Sequence, residues 1–150
     1  DAVATFSPSS VEGLTVTAGI STKELNDGLT TTSDTNTVMG RVVYSMGAVS
    51  VGYQVAEIDT GAAGTASTDV DAFSIAFNVN ENLAVSYGEY DKSLNSIAGS
   101  TSVTEESTGI SVAYTTGAAS VRMTRNDSDN DGHTVGNEQQ VTEISVVLAF

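Results

Sequence analysis

Residues 127–138 are the segment of this chain whose residue types and spacing best suit a chemical role. They match the calcium-loop pattern D-x-D-x-D-G-x5-E. Carboxylates at alternate positions can converge on one side of a tight loop, and Gly132 permits the sharp bend. The pattern predicts an oxygen-lined site for Ca²⁺, and no other cofactor is expected. The predicted metal ligands are Asp127, Asp129, Asp131, His133 (through its backbone carbonyl) and Glu138.

A plainer interpretation of the same segment is an acidic surface loop, rich in Asn and Asp, that matches the pattern through composition. The helices that usually flank such a loop are missing from the sequence, and Thr134 stands where an apolar residue is common. Both interpretations stay open at this point. His133 is the only histidine, and it lies in this loop rather than at a strand end beside a serine and an orienting carboxylate. An enzyme is therefore not expected.

Composition narrows the classes of protein. The chain has 150 residues, enough for one domain with a core, and carries 19 Asp+Glu against 5 Lys+Arg, a formal net charge of −14. Nucleic acid is excluded as a partner, because affinity for phosphates depends on cations. No run of about 20 apolar residues predicts a membrane-spanning helix. The absence of Cys excludes a disulfide scaffold and a thiolate metal site.

The elements that would position these residues are predicted to be β-strands. Val, Thr, Ser, Ala, Gly and Tyr dominate, and apolar and polar residues alternate repeatedly, whereas no stretch has a convincing helical period. Residues 1–6 are predicted to be the end of a preceding strand. Eight further strands are predicted at 14–21, 38–46, 49–58, 72–79, 83–90, 108–115, 118–124 and 141–150.

The connections between these strands alternate in length. Short turns at 46–48, 80–82 and 116–117 alternate with long polar segments at 22–37, 59–71, 91–107 and 125–140. Transmembrane barrels sort their connections in this way, with short periplasmic turns and long extracellular loops. A β-sandwich has no reason to do so. The pattern therefore favours an antiparallel transmembrane β-barrel.

The two faces of the predicted strands agree with that fold. One face carries Val, Leu, Ile, Tyr and Phe, and the other carries mainly Ser, Thr, Gly and Ala. Tyr44, Phe77 and Tyr114 lie close to the short turns, where an interfacial aromatic girdle would lie. The alternative is that these are core aromatics near the ends of strands in an ordinary domain.

Both ends of the sequence carry a family resemblance. The last strand alternates through Ile144, Val146 and Leu148 to Phe150, and a chain that stops on an aromatic in this way resembles the C-terminal strand of Gram-negative outer-membrane barrels. The segment 4–16, in which a strand passes an aromatic and a Ser/Pro turn before a Gly opens the next strand, resembles general bacterial porins. Nearly the whole chain resembles the C-terminal half of a porin.

The resemblance implies several properties. It implies a portion of a 16-stranded barrel in the bacterial outer membrane, a water-filled channel, a homotrimer, contact with lipid and lipopolysaccharide, and insertion by the barrel-assembly machinery. Residues 1–150 would be a single barrel domain or the C-terminal portion of one, with eight strands in residues 14–150. The resemblance also implies a signal that the insertion machinery recognises, which would consist of Ile144, Val146, Leu148 and Phe150.

Arg41 and Arg122 lie on the polar face in the middle of strands. A charge that faced lipid there would cost about 2–4 kcal/mol, so both are predicted to point into the lumen. The alternative for each arginine is a simple ion pair with a nearby carboxylate, such as Glu143 beside Arg122. The acidic loops are expected to favour cations at the mouth of the pore. The predicted pore-lining residues are Arg41, Gln54, Asn78, Ser120 and Arg122.

The sequence therefore favours an outer-membrane porin for passive diffusion of small hydrophilic solutes and ions. Two alternatives stay open. One is a secreted or surface β-sandwich adhesin that uses residues 127–138 to bind calcium. The other is a small, closed, eight-stranded structural barrel, which the extra strand at residues 1–6 disfavours.

Overall fold

The computed structural model describes residues 1–24, 34–61, 67–95 and 102–148 of the chain. Nine strands and one short 3₁₀ turn, Asp131–His133, are found in this part of the protein. The strands are β1 Ala2–Phe6, β2 Leu14–Lys23, β3 Thr35–Met46, β4 Val49–Asp59, β5 Thr68–Asn78, β6 Leu83–Leu94, β7 Thr104–Thr116, β8 Ala119–Asp129 and β9 Gln139–Leu148.

Each strand pairs with the next one along the chain, always antiparallel, in a single nine-stranded sheet of order β1 to β9. The prediction of an all-β antiparallel fold is confirmed. Within the described ranges β1 and β9 are the two edges of the sheet and do not pair with each other. No helix among the described residues is long and apolar enough to cross a membrane.

The strands extend farther into the long connections than the sequence predicted. β7 begins at Thr104 rather than 108, and β8 continues to Asp129 rather than ending at 124. The predicted polar segments 91–107 and 125–140 are therefore partly strand. The alternation of apolar and polar residues stops there because both faces are polar, yet the backbone ladder continues. Polar side chains also pair across it, as Ser107 and Ser128 do at 2.7 Å between their hydroxyl oxygens.

The sheet is one layer thick. Val70, at 7% exposed, is the one buried hydrophobic side chain among the described residues. Large apolar side chains on the middle strands stay open, as Phe77 does at 43%. Water-soluble domains bury such a face against a second layer of structure. Nothing in the described part of the chain provides that layer.

The connection from β1 to β2 depends on the glycine that precedes β2. Gly13 has φ +82, and its carbonyl accepts a hydrogen bond from the Ser45 backbone N–H at 2.9 Å. A Cβ at this position would lie 2.0 Å from the Ser45 carbonyl oxygen. The residue must therefore lack a side chain both for its backbone conformation and for its close approach to β3.

Candidate functional site

One face of the sheet carries a continuous group of apolar side chains, here called the apolar belt, and we call this side the belt face. Paired residues share a face, so the register of the paired strands assigns every strand position to one face or the other. Apart from Gly40, the belt consists of every second residue of 14–20, 38–46, 49–55, 73–77, 83–87, 110–114, 121–123 and 144–148.

The edge of the belt that lies toward the long connections crosses the sheet obliquely. In four successive rows of paired residues, apolar residues on the β2 side give way to charged residues on the β9 side. From one row to the next, the change moves toward β9. The pairs at which it occurs are Val38–Glu57, Val55–Asp71, Phe73–Glu89 and Ile110–Arg125.

The slope of this edge can be derived from the register. The row through Val38 crosses β7 at Thr104, six residues from Ile110. The edge therefore moves six residues along the strands while it crosses four strands. With about 3.4 Å per residue and about 4.8 Å between strands, it runs about 20 Å along the strands for about 19 Å across the sheet. Between β3 and β7 the strands are inclined to this edge by about 45°.

Beyond this edge the belt face is strongly acidic. Arg125 is the one basic residue in a strand on this face. Two tyrosines at the edge donate hydrogen bonds to carboxylates, Tyr53 to Asp71 and Tyr87 to Glu89, both at 2.6 Å. The strand carboxylates on this face are Glu57, Asp59, Asp69, Asp71, Glu89, Asp91, Glu106, Asp127 and Asp129.

The opposite face, here called the polar face, carries small side chains near the middle of the sheet. Gly88 pairs with Gly109, and Ser86 pairs with Ser111. Hydroxyl groups bond to each other across strands, as Ser45 and Ser50 do at 2.9 Å. Near the middle of the sheet this face is therefore small and polar, although it also carries apolar side chains such as Val43, Val70 and Val147.

The predicted pore-lining residues all lie on the polar face, but they do not form one cluster. Arg41 and Gln54 are direct partners on β3 and β4. Ser120 and Arg122 follow each other on β8, and Ser120 is 3.1 Å from the Thr115 hydroxyl. Asn78 lies apart, at the turn end of β5, where its backbone N–H bonds to the Ala48 carbonyl at 2.9 Å.

Arg122 does not pair with Glu143. Its Nε donates to the Ser111 hydroxyl at 3.1 Å instead. Across the described ranges, the one ion pair joins Arg125 and Asp127. Arg41 and Arg122 are both exposed and carry unneutralised charge on the polar face.

The predicted calcium ligands occupy different settings. Asp127 and Asp129 are strand residues of β8, on the belt face. The Asp127 carboxylate accepts hydrogen bonds from Arg125 and Gln140, and these bonds, the one from Arg125 foremost, hold its pKa below the usual value. Asp131 accepts a hydrogen bond from the Gln139 amide.

The connection between β8 and β9 is a compact loop that docks on the start of β7. The Asn130 amide donates to the Thr104 carbonyl at 3.0 Å, and the Gly132 N–H donates to the Glu105 carboxylate at 3.2 Å. His133 Nδ1 donates to the Val103 carbonyl at 3.0 Å. Its Nε2 is buried without a hydrogen-bond partner in the described structure.

The structure does not bring the predicted calcium ligands together. In the part of the chain that the structure describes, no group of three or more His, Cys, Asp or Glu residues is arranged to hold a metal ion. The Asp127 and Asp131 carboxylates instead accept hydrogen bonds from neighbouring side chains. The calcium site stays a prediction from the sequence pattern.

The predicted insertion signal lies on β9. Ile144, Val146 and Leu148 share the belt face and are 67%, 59% and 58% exposed. They form the last apolar column before the free edge of the sheet. Phe150 lies outside the described residues.

The functional feature that sequence reasoning missed is the separation of charge between the two faces. Counted over the strands, the belt face carries nine carboxylates and one arginine, whereas the polar face carries Lys23, Arg41, Lys92 and Arg122 against Glu105 and Glu143. The sequence did contain a signal for this separation, because a charged residue an even number of positions from the apolar residues of its strand shares their face.

Comparison with known proteins found no matching family model, curated protein or solved structure.

Proposed function

We propose that this sheet is part of the wall of a transmembrane β-barrel, and that the barrel is an outer-membrane porin. The observation that carries the proposal is the apolar belt on one face of a single-layer sheet, whose loop-side edge is inclined by about 45° to the strands between β3 and β7. Strands of outer-membrane barrels are tilted by about 35–45° to the membrane normal. The apolar zone of a membrane protein runs parallel to the membrane plane. On strands that are tilted to the membrane normal, this zone therefore crosses the sheet at an angle to the strands.

The single layer also favours lipid as the cover of the belt. Side chains such as Ile75 and Val112, 38% and 40% exposed, would be a large apolar surface in water. On β3 the belt runs from Met46 to Val38, about 27 Å along the strand and about 19 Å along the normal at this tilt. Outer-membrane barrels typically carry a band about 25 Å tall, so β3 carries most of the height required. On β5, β6 and β7 the belt is shorter, about 14 Å along each strand.

The open edges favour a barrel larger than this chain provides. β1 and β9 each leave one row of backbone N–H and C=O groups without a strand partner in the described structure. Such groups cannot stay unpaired in lipid, and in the proposed barrel they pair with further strands. Sixteen strands, as in general porins, would leave an aqueous lumen lined by the polar face.

The proposed activity is passive diffusion of small hydrophilic solutes and ions, without a chemical step or a cofactor. The proposed partners are outer-membrane lipid, lipopolysaccharide, two further copies of the protein in a trimer, and the barrel-assembly machinery. A sandwich adhesin would need a second sheet over the belt. A closed eight-stranded barrel would leave one strand of this sheet outside the closure.

Planar-bilayer recording of the full-length protein, purified in detergent, tests the proposal. Stepwise, ohmic openings are expected, because the lumen would be water-filled. Protein that is demonstrably inserted but passes no current would overturn the channel. Protein that stays monodisperse without detergent would instead support the sandwich adhesin.

A further inference from the structure

We infer that the channel wall built by this chain selects anions over cations, although the chain as a whole is strongly acidic. The inference deepens the proposed porin function and depends on it. It concerns the sign of the charge that a solute would meet inside the lumen. Net charge does not give that sign, because the two faces of the sheet carry opposite charges.

The acidic residues of the strands lie mainly where a lumenal solute would not meet them. Nine strand carboxylates are on the belt face, beyond the loop-side edge of the belt. In a barrel these groups would point outward, toward the headgroup region of the membrane. Arg125 is the one strand cation on that face, and Asp127 neutralises it at 3.0 Å.

Two arginines of the polar face lie at nearly the same height in the proposed membrane. The row of partners through Arg41 crosses the sheet to Ser128 on β8. Because the belt edge slopes, the residue of β8 at the same height in the membrane as Arg41 is not Ser128. It lies about seven residues nearer the short turns, next to Arg122. Both arginines therefore lie within the height of the belt, where the lumen is surrounded by lipid.

No carboxylate of the polar face lies at that height within the described ranges. Glu105 and Glu143 are the two strand carboxylates on this face, and both lie nearer the long connections. Glu105 is opposite Lys92, so their charges offset each other near the mouth. Glu105 also accepts the hydrogen bond from the Gly132 N–H. The polar face at mid-height is cationic, with neutral groups between the arginines.

Solvent-exposed charges act over about 10 Å at 0.1 M salt. Glu143, diagonally across from Arg122 on β9, is the one polar-face carboxylate within that reach of either arginine in the described strands, so the net charge of this part of the wall stays positive. The carboxylates of the belt face are separated from the lumen by the sheet itself. A small anion would be attracted to Arg41 and Arg122, and a small cation would be repelled.

The test is the reversal potential of the full-length protein in planar bilayers under a potassium chloride gradient. We expect a ratio of chloride to potassium permeability above one. The double variant Arg41→Gln/Arg122→Gln should bring the ratio to one or below. Arg125→Gln is the matched control: it removes the same charge from the belt face and should leave the ratio unchanged.

Each outcome has a distinct meaning. A permeability ratio that the double variant leaves unchanged, or that the control lowers as much, would overturn the inference and leave the porin proposal standing. Absence of current from inserted protein would overturn the porin proposal itself. The single variants Arg41→Gln and Arg122→Gln should each lower the ratio, so a double variant that fails to fold does not remove the test.

Discussion

Arg125 and Asp127, two residues apart on β8, form a two-point ion pair. Arg125 Nε is 3.0 Å from Asp127 Oδ2, and Arg125 Nη2 is 3.2 Å from Oδ1. The pair lies just beyond the loop-side edge of the belt, on the face opposite Arg41 and Arg122. The strand cation of the belt face is therefore neutralised, while Arg41 and Arg122 on the polar face have no ion-pair partner among the described residues.

The first prediction concerns pH. The hydrogen bond from Arg125, with help from Gln140, lowers the pKa of Asp127. A carboxyl whose pKa is lowered by folding stabilises the folded state above its unfolded pKa of about 3.9, and the contribution is lost as pH falls through the lowered value. We expect the chemical-shift titration of the Asp127 carboxyl to have its midpoint below that of an ordinary aspartate.

The control is Arg125→Gln, which removes the largest cause of the shift. Its Asp127 midpoint should rise toward the ordinary value while the fold is retained. An unchanged midpoint in this variant would show that Arg125 does not set the pKa.

The second prediction tests which face meets lipid. Ile75 and Ser74 are neighbours at the middle of β5, on the belt face and the polar face respectively. Ile75→Arg should destabilise the inserted protein by about 2–4 kcal/mol, because the charge would enter the apolar zone of the membrane. Ser74→Arg should cost less than about 1 kcal/mol, since a lumenal side chain stays in water.

The measurement is reversible urea unfolding from lipid vesicles, followed by circular dichroism. Equal losses in the two variants would contradict the assignment of the faces. A larger loss in Ser74→Arg would reverse it.

The third prediction concerns the glycine before β2. Gly13→Ala places a methyl group against the Ser45 carbonyl oxygen and strains a backbone with φ +82. We expect a loss above about 2 kcal/mol, from the strain and the displaced β3 backbone together. Gly47→Ala is the matched control, since Gly47 also has positive φ, +57, but no atom within 4 Å of the added Cβ. That variant should lose about 1 kcal/mol, and a similar loss in both would show that the close approach to Ser45 is unimportant.

The fourth prediction concerns the loop between β8 and β9. Asn130 has φ +55, donates to the Thr104 carbonyl and accepts from the Gly136 N–H, each at 3.0 Å. Asn130→Ala should cost about 1–2 kcal/mol of local stability, so amide hydrogen exchange of the loop should accelerate about tenfold. Val135→Ala, at a side chain that is 79% exposed, should leave exchange unchanged.

The same exchange measurement tests the calcium prediction. Slower exchange of residues 130–138 on addition of millimolar calcium would support a site in this loop. Exchange that calcium does not alter would contradict it.

The strand pattern and the two faces could be predicted from the sequence because they depend on local alternation. The β-branched and aromatic residues recur with a period of two, and the tight turns carry the Gly and Asn residues that such turns need. The ends of the strands could not be predicted in this way. Beyond Thr124, for example, both faces of β8 are polar, so the pattern carries no signal although the ladder with β7 continues to Asp129.

The calcium pattern shows the same limit at the candidate site. The spacing of the aspartates in residues 127–138 matched a loop, but Asp127 and Asp129 belong to a strand whose partners fix their direction. Sequence spacing gives convergence only when the backbone curls locally. Here pairing with β7 keeps the backbone extended as far as Asp129.

What the sequence determined by itself was therefore the β class, the order of the strands and the division into an apolar and a polar face, since each depends on neighbouring residues. The tertiary structure alone decided the register, and with it the oblique course of the belt and the common height of Arg41 and Arg122. The register pairs residues that are far apart in the chain. The backbone hydrogen bonds that hold it are the same whatever the side chains, so the residues of one strand do not reveal their partners.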